Sequence, residues 1–191
     1  AGWLSIPCMM LWLAGVLPVP GAAQQASPHG PEFQVNAYTT SWQASSSVAI
    51  GTTGDFVIAW MSDGGSGSDQ SESSIQARRY AETGAPLGSQ FQVNTYTFDF
   101  QTLPALASSS NGEFVVVWDS YGGWGNDTSF NSIQARIFDG DGVPVTEQFQ
   151  VNTLTAGKQV RPDVVWDSPA SFVVAWEGHG DGDGYGIWGQ R

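Results

Sequence analysis

An intrachain disulfide is closed to this chain: Cys8 is its only cysteine, so stability rests on packing. Histidine is nearly as scarce. His29 and His179 are the only two, which leaves His-based triads and multi-histidine zinc sites short of parts. Basic charge is thin as well, with six Lys and Arg (Lys158 the one lysine) against 18 Asp and Glu, for a formal net charge of −12. Nucleic acid is therefore excluded as a partner, because phosphate backbones are held by clustered Lys and Arg. Such acidity keeps an exported surface soluble and also attracts divalent cations or a basic partner. The apolar block Met9–Pro20, MMLWLAGVLPVP, is too short to span a bilayer, so no stable membrane insertion is expected. After it, no segment carries a long helical apolar period.

That block is followed by Gly21-Ala22-Ala23, small residues that suit cleavage before Gln24. Residues 1–23 thus read as a secretory signal peptide whose basic n-region and initiating Met are missing, so the chain is expected to begin partway through its gene product. A lipoprotein is excluded, since Cys8 precedes the apolar block instead of following it. Residues 24–31, QQASPHGP, read as a flexible lead-in.

What is present is a repeat. Phe33-Gln34-Val35-Asn36 returns as Phe91-Gln92-Val93-Asn94 and again as Phe149-Gln150-Val151-Asn152, at intervals of 58 residues. Trp60, Trp118 and Trp176 keep the same interval, as do Phe56, Phe114 and Phe172, and Gln43, Gln101 and Gln159. Residues 32–191 are one supersecondary unit written three times, with units beginning near 33, 91 and 149. Each unit opens with FQVN, whose alternation marks a half-buried strand. Short strands follow at 48–51, 106–109 and 164–167, with Pro104 and Pro162 at two of their starts. The segments FVIAW, FVVVW and FVVAW come next, apolar on both faces and hence central, each preceded in the first two units by a Gly turn such as Asn111-Gly112. The fourth strand, SIQAR in two units and GIWGQR in the last, alternates and reads as an outer strand. The expected fold is all-β: three tandem four-stranded antiparallel units of 58-residue period, β-propeller-like, and an incomplete ring because known propellers have about 4 to 8 blades.

The combination EFQVNT, FVVVW, a Gly/Asp loop and SIQAR or GIxxQR resembles the repeats of large secreted bacterial proteins that accompany calcium-binding or adhesion modules. The likeness covers Glu32 to Arg191. It implies a propeller-like repeat region in an exported or cell-surface bacterial protein, and it brings no catalytic residues with it.

Chemistry is sought in the loops joining the third and fourth strands, Ser62 to Ser73, Ser120 to Asn131 and Gly178 to Gly186, which a repeated scaffold aligns on one face. They carry Asp63, Asp69 and Glu72, then Tyr121, Trp124 and Asp127, then Asp181, Asp183 and Tyr185. Asp181 and Asp183, in GHGDGDGYG, are the candidate metal ligands, with Ca2+ as the ion, since Gly-rich loops combine carboxylates with backbone carbonyls. The EF-hand spacing is absent, and Asp-Gly pairs are also ordinary turn formers. Tyr121, Trp124 and Tyr185 are the candidate ligand contacts, because exposed aromatic rings stack on sugars. The competing role, packing between units, weighs more for Trp188 than for Trp124.

These readings assign no catalytic residue. They point to a non-catalytic exported module that binds an extracellular protein or glycan through its loop face, and whose uncapped terminal unit self-associates. The alternative is a fragment of a propeller-type glycoside hydrolase or lyase. It requires carboxylates such as Asp63, Asp119 and Asp181 to converge in one deep cleft.

Overall fold

The computed structural model describes residues 30–65, 67–168 and 170–191, so the expected signal peptide and most of the lead-in lie outside the described residues. Two compact units are separated, Ala1–Phe33 and Gln34–Arg191. In the first, the described residues 30–33 form no strand. Among the described residues, the second contains every strand and no helix occurs.

Eleven strands follow in order: β1 (Gln43–Ile50), β2 (Phe56–Asp63), β3 (Ser73–Tyr80), β4 (Phe91–Gln92), β5 (Gln101–Ser108), β6 (Phe114–Tyr121), β7 (Asn131–Phe138), β8 (Phe149–Gln150), β9 (Gln159–Ser168), β10 (Ser171–His179) and β11 (Tyr185–Gln190). They make three antiparallel sheets, β1-β2-β3-β4, β5-β6-β7-β8 and β9-β10-β11, none of which closes on itself. The architecture is all-β, in blade-like units. Within each sheet the chain reverses through tight turns: Asn111-Gly112 closes the β5–β6 hairpin, with Gly112 at φ +93° and Ser109 N–H donating to Glu113 O at 2.8 Å.

FQVN belongs to the other side of the unit boundary. Phe91 and Gln92 pair with Ala77 and Gln76, and Phe149 and Gln150 with Ala135 and Gln134, so each motif closes the preceding sheet instead of opening the next. The cause is the Gly-Pro turn after β3 and β7, where Ala81 N–H donates to Ala85 O and Asp139 N–H to Val143 O, turning the chain back along the strand it has just left. Residues 33–36, the first copy of the motif, lie in no strand. The SIQAR strands β3 and β7 are consequently interior to the first two sheets, with Gln76 and Gln134 fully buried, whereas their counterpart β11 stands at an edge of the third.

Pro104 and Pro162 do not start strands either. β5 and β9 begin earlier, at Gln101 and Gln159, and each proline follows a residue with left-handed φ: Leu103 at 52° and Arg161 at 54°, matched by Ser45 at 54° in β1. The register skips there, between Thr102 and Ala105 in the second sheet. At such a bulge a residue without an N–H leaves no ladder bond unmade, so the proline is tolerated inside the strand.

Two apolar cores lie between successive sheets. Val57, Ala59, Ile75 and Ala77 of the first sheet meet Leu106, Phe114, Val116 and Trp118 of the second, and Val115, Val117, Ile133 and Ala135 meet Val164, Val174 and Trp176 of the third. β6 is thus covered on both faces, as its continuous apolar run requires. The three periodic tryptophans are all buried. Trp118 Nε1 donates to Gln101 Oε1 at 3.1 Å and Trp176 Nε1 to Gln159 Oε1 at 2.9 Å. Trp60 Nε1 is buried with no acceptor, because Gln43 Oε1 accepts instead from Asn36 Nδ2 at 3.1 Å.

Candidate functional site

The β2–β3, β6–β7 and β10–β11 loops share one end of the molecule with the entries to β5 and β9. Ser71 Oγ donates to Thr97 O at 2.6 Å, and Ser129 Oγ to Thr155 O at 2.5 Å, tying each loop to the segment that leads into the next sheet.

Much of each loop is spent on that joint. Asp69, which is buried, accepts from Asn94 Nδ2 at 2.7 Å and from Ser71 N–H and Oγ, both at 3.2 Å. Asp127 repeats the arrangement with Asn152 at 2.7 Å and Ser129 at 3.2 and 3.1 Å. The same asparagines accept, through Oδ1, from Ile75 N–H and Ile133 N–H, each at 2.8 Å. Burial pushes both carboxyls above their ordinary range, and the Asn and Ser donors pull back against it. Gln92 and Gln150 also reach in, accepting from Asp69 N–H and Asp127 N–H at 3.0 Å. A Cβ at Gly67 or Gly125 would collide with those glutamine side chains, so the loop glycines here serve close approach.

The expected ligand contacts Tyr121, Trp124 and Tyr185 are all exposed. Tyr121 ends β6, and its N–H donates to Phe100 O at 2.9 Å; the adjacent Gly122 N–H donates to Phe130 O at 2.7 Å. Trp124 is held by its carbonyl, which accepts from Gln134 Nε2 at 2.8 Å and leaves the indole to solvent. Phe98 and Phe100, in the segment that enters β5, and Phe130, in the β6–β7 loop, are exposed as well, so five exposed aromatic residues lie at this end of the second sheet. Tyr185 belongs to the third sheet and lies against His179, with ring centroids 4.2 Å apart and the planes tilted by 31°. Trp188 packs against the core between the second and third sheets and donates Nε1 to Gly178 O at 3.0 Å.

The carboxylates are dispersed. Asp63 is half-buried at the end of β2, and Asp181 and Asp183 are exposed in the third loop, with the Asp181 carboxylate lying over Gly186. Asp119 is buried in β6, where it accepts from Thr102 Oγ1. Burial pushes its carboxyl up to about 6, against the hydrogen bonds from Thr102 and the Arg161 backbone and the charges of Arg161 and Lys158. A groove of about 390 Å³ opens at the opposite end of the strands, between the first and second sheets, and is lined by Asp55, Arg79, Asn111 and Asp141 and by none of those four acids. Among the described residues, no group of three or more His, Cys, Asp and Glu is placed to hold a metal.

The exposed phenylalanines and the aspartate clamp are what the sequence reading missed. Phe98 and Phe130 carry no periodic signal, since Thr40 and Glu72 stand one period before them, whereas Phe100 carries one: Trp42, an exposed aromatic as well, stands one period before it. The clamp carried one in plain view, because Asp69 and Asp127, Ser71 and Ser129, and Gly67 and Gly125 all stand 58 residues apart. In the third loop, four residues shorter, the same pattern falls on Asp181: it lies six residues before Ile187, as Asp69 and Asp127 do before Ile75 and Ile133. No protein-family model matches the chain, and no curated protein matches it either.

Proposed function

We propose that this chain is a non-catalytic, exported repeat module that binds an extracellular glycan through the loop end of its sheets. The observation that carries this reading is the group of exposed aromatic residues at the loop end of the second sheet, Phe98, Phe100, Tyr121, Trp124 and Phe130, whose backbone is held by hydrogen bonds from Tyr121 and Gly122 N–H and from the Gln101 and Gln134 side chains. Flat apolar rings beside amide and hydroxyl groups suit the faces and edges of sugar rings, and loops whose backbone is tied to the sheet by hydrogen bonds hold them at reduced entropic cost. The dispersal of Asp63, Asp119 and Asp181 favours binding over paired-carboxylate hydrolysis, which needs two acids facing one bond.

The test is a glycan array probed with the full chain, followed by calorimetry on the best polysaccharide with the Tyr121→Ala/Trp124→Ala/Phe130→Ala variant. Loss of three stacking contacts is expected to weaken binding by about tenfold or more. Binding that survives the triple substitution, or an array without a single hit, overturns the glycan reading; in the second case capture of a protein partner through the same three residues becomes the surviving form of the module.

A further inference from the structure

We propose that the groove between the first and second sheets is a sugar-binding site that takes one neutral pyranose unit. It lies at the opposite end of the strands from the exposed aromatic group, so it goes beyond the loop-end reading and stands without it.

The groove exists because two residues depart from the repeat. Ser108 follows Leu106 by two along β5 and shares its face, toward the core between the first two sheets. One period on stands Trp166, which pairs with Phe172 as Ser108 pairs with Phe114. Trp166 packs against the core between the second and third sheets, with its ring centroid 5.5 Å from that of Phe172. Arg79 in turn stands where Ile137, one period on, packs against that same core. The second joint is thus filled by an indole and a branched alkyl group, where the first has a hydroxyl and a guanidinium. What that missing bulk leaves is about 390 Å³, a volume within the range of small-molecule sites. Because Ile137 and Trp166 complete the equivalent joint, the scaffold itself has no need of Arg79 or Ser108.

The lining selects the ligand. Phe56 and Phe114 supply apolar surface, backed by Tyr80 and Phe138 at ring-centroid distances of 5.2 and 5.1 Å. Around them stand Asp55, Arg79, Asn111 and Asp141. A pyranose has the same character, flat with apolar faces and a polar edge, and its hydroxyls both donate and accept, as a mixed rim of carboxylate, amide and guanidinium requires. An aromatic side chain fills the space equally well but leaves most of that rim desolvated and unpaired. Charge excludes an acidic sugar. Arg79 is already matched by Asp141, since Nη1 donates to its carbonyl at 2.7 Å and Nη2 lies 3.6 Å from its carboxylate, and Asp55 adds a further negative charge. The rim is also held in place before any ligand arrives: a Cβ at Gly142 would stand 3.0 Å from Arg79 Cδ, so the 139–142 turn lies against the arginine stem, and Asp55 accepts from Glu82 N–H at 3.2 Å.

NMR on the 15N-labelled full chain tests this, with D-glucose, D-galactose and D-mannose titrated separately and glucuronate and indole as controls. At least one hexose is expected to saturate in the millimolar range, with shifts centred on Asn111, Gly112 and the Arg79 Nε–H, and neither control to produce them. Tyr121→Ala/Trp124→Ala/Phe130→Ala is expected to leave these shifts intact, so failure at the loop end and failure at the groove are told apart. Ser108→Trp/Arg79→Ile copies the second joint into the first, and is expected to abolish the shifts while keeping the wild-type β circular dichroism. Arg79→Gln, which keeps the groove open, decides the matter if that variant does not fold, with binding expected to weaken about tenfold. Hexoses that leave the groove unshifted, shifts from glucuronate or indole in their place, or undiminished binding by folded Ser108→Trp/Arg79→Ile or by Arg79→Gln overturns the proposal.

Discussion

Replacing Asp119 by Asn removes a carboxyl that ionises near 6 in the folded chain and near its ordinary value of 3.8 when unfolded. The fold holds that proton more tightly than the unfolded chain does. Its contribution to stability is therefore complete below pH 4, falls as the pH rises, and is gone above pH 6, where both states are ionised. The gap between the two values, at about 1.4 kcal/mol per pH unit, amounts to about 3 kcal/mol. Asp119 is buried to 2% exposure, so solvent screening takes little from this, and Asn keeps an acceptor for the Thr102 hydroxyl. Urea unfolding of wild type and Asp119→Asn at half-unit steps from pH 4 to 8 measures the difference directly, with the other titrating groups common to both. The two curves are expected to meet near pH 4 and to separate by about 3 kcal/mol in favour of the variant by pH 7. Parallel curves, or a variant less stable at pH 7, refute the assignment of burial as the dominant influence on this group.

The three periodic tryptophans are expected to respond unequally to Phe. Trp118→Phe and Trp176→Phe each leave a buried glutamine oxygen unpaired and cost about 1–3 kcal/mol beyond lost packing, whereas Trp60→Phe removes a donor that has no acceptor and escapes that term. Urea midpoints at equal m-values decide it, and equal losses at all three sites contradict the hydrogen-bond assignment. Asn152→Ala releases three bonds, from Ile133 N–H and to Asp127 and Leu154 O, and is expected to destabilise by about 3 kcal/mol. Asn36→Ala, at the equivalent position, frees Gln43 for Trp60 and is expected to fall within about 0.5 kcal/mol of wild type in thermal melts at dilute concentration.

The strands were legible because period 2 and period 58 are both written in side chains whose size and polarity decide burial. Phe56, Trp118 and Val174 announce a central strand wherever they are placed. Which sheet receives FQVN was not legible, because alternation describes the two faces of a strand and is silent about its neighbour; the turn at 81–86 settled that. Pro104 read as a strand start for a similar reason, since a bulge is a property of a strand pair and has no signature in one strand alone. Asp69 and Asp127 show a further limit. Their recurrence is plain, but an aspartate among glycines reads as solvated turn or metal ligand until Asn94 and Asn152 are brought to within 2.7 Å.

The repeat, the all-β class and the buried tryptophans are set by the sequence alone, since they follow from residue type and spacing. The tertiary structure decided where one unit ends and the next begins and which loop residues serve the scaffold. Those depend on contacts between segments 20 to 60 residues apart, such as Asn94 with Asp69 or Gln90 with Ala37, and no local pattern encodes a partner at that distance.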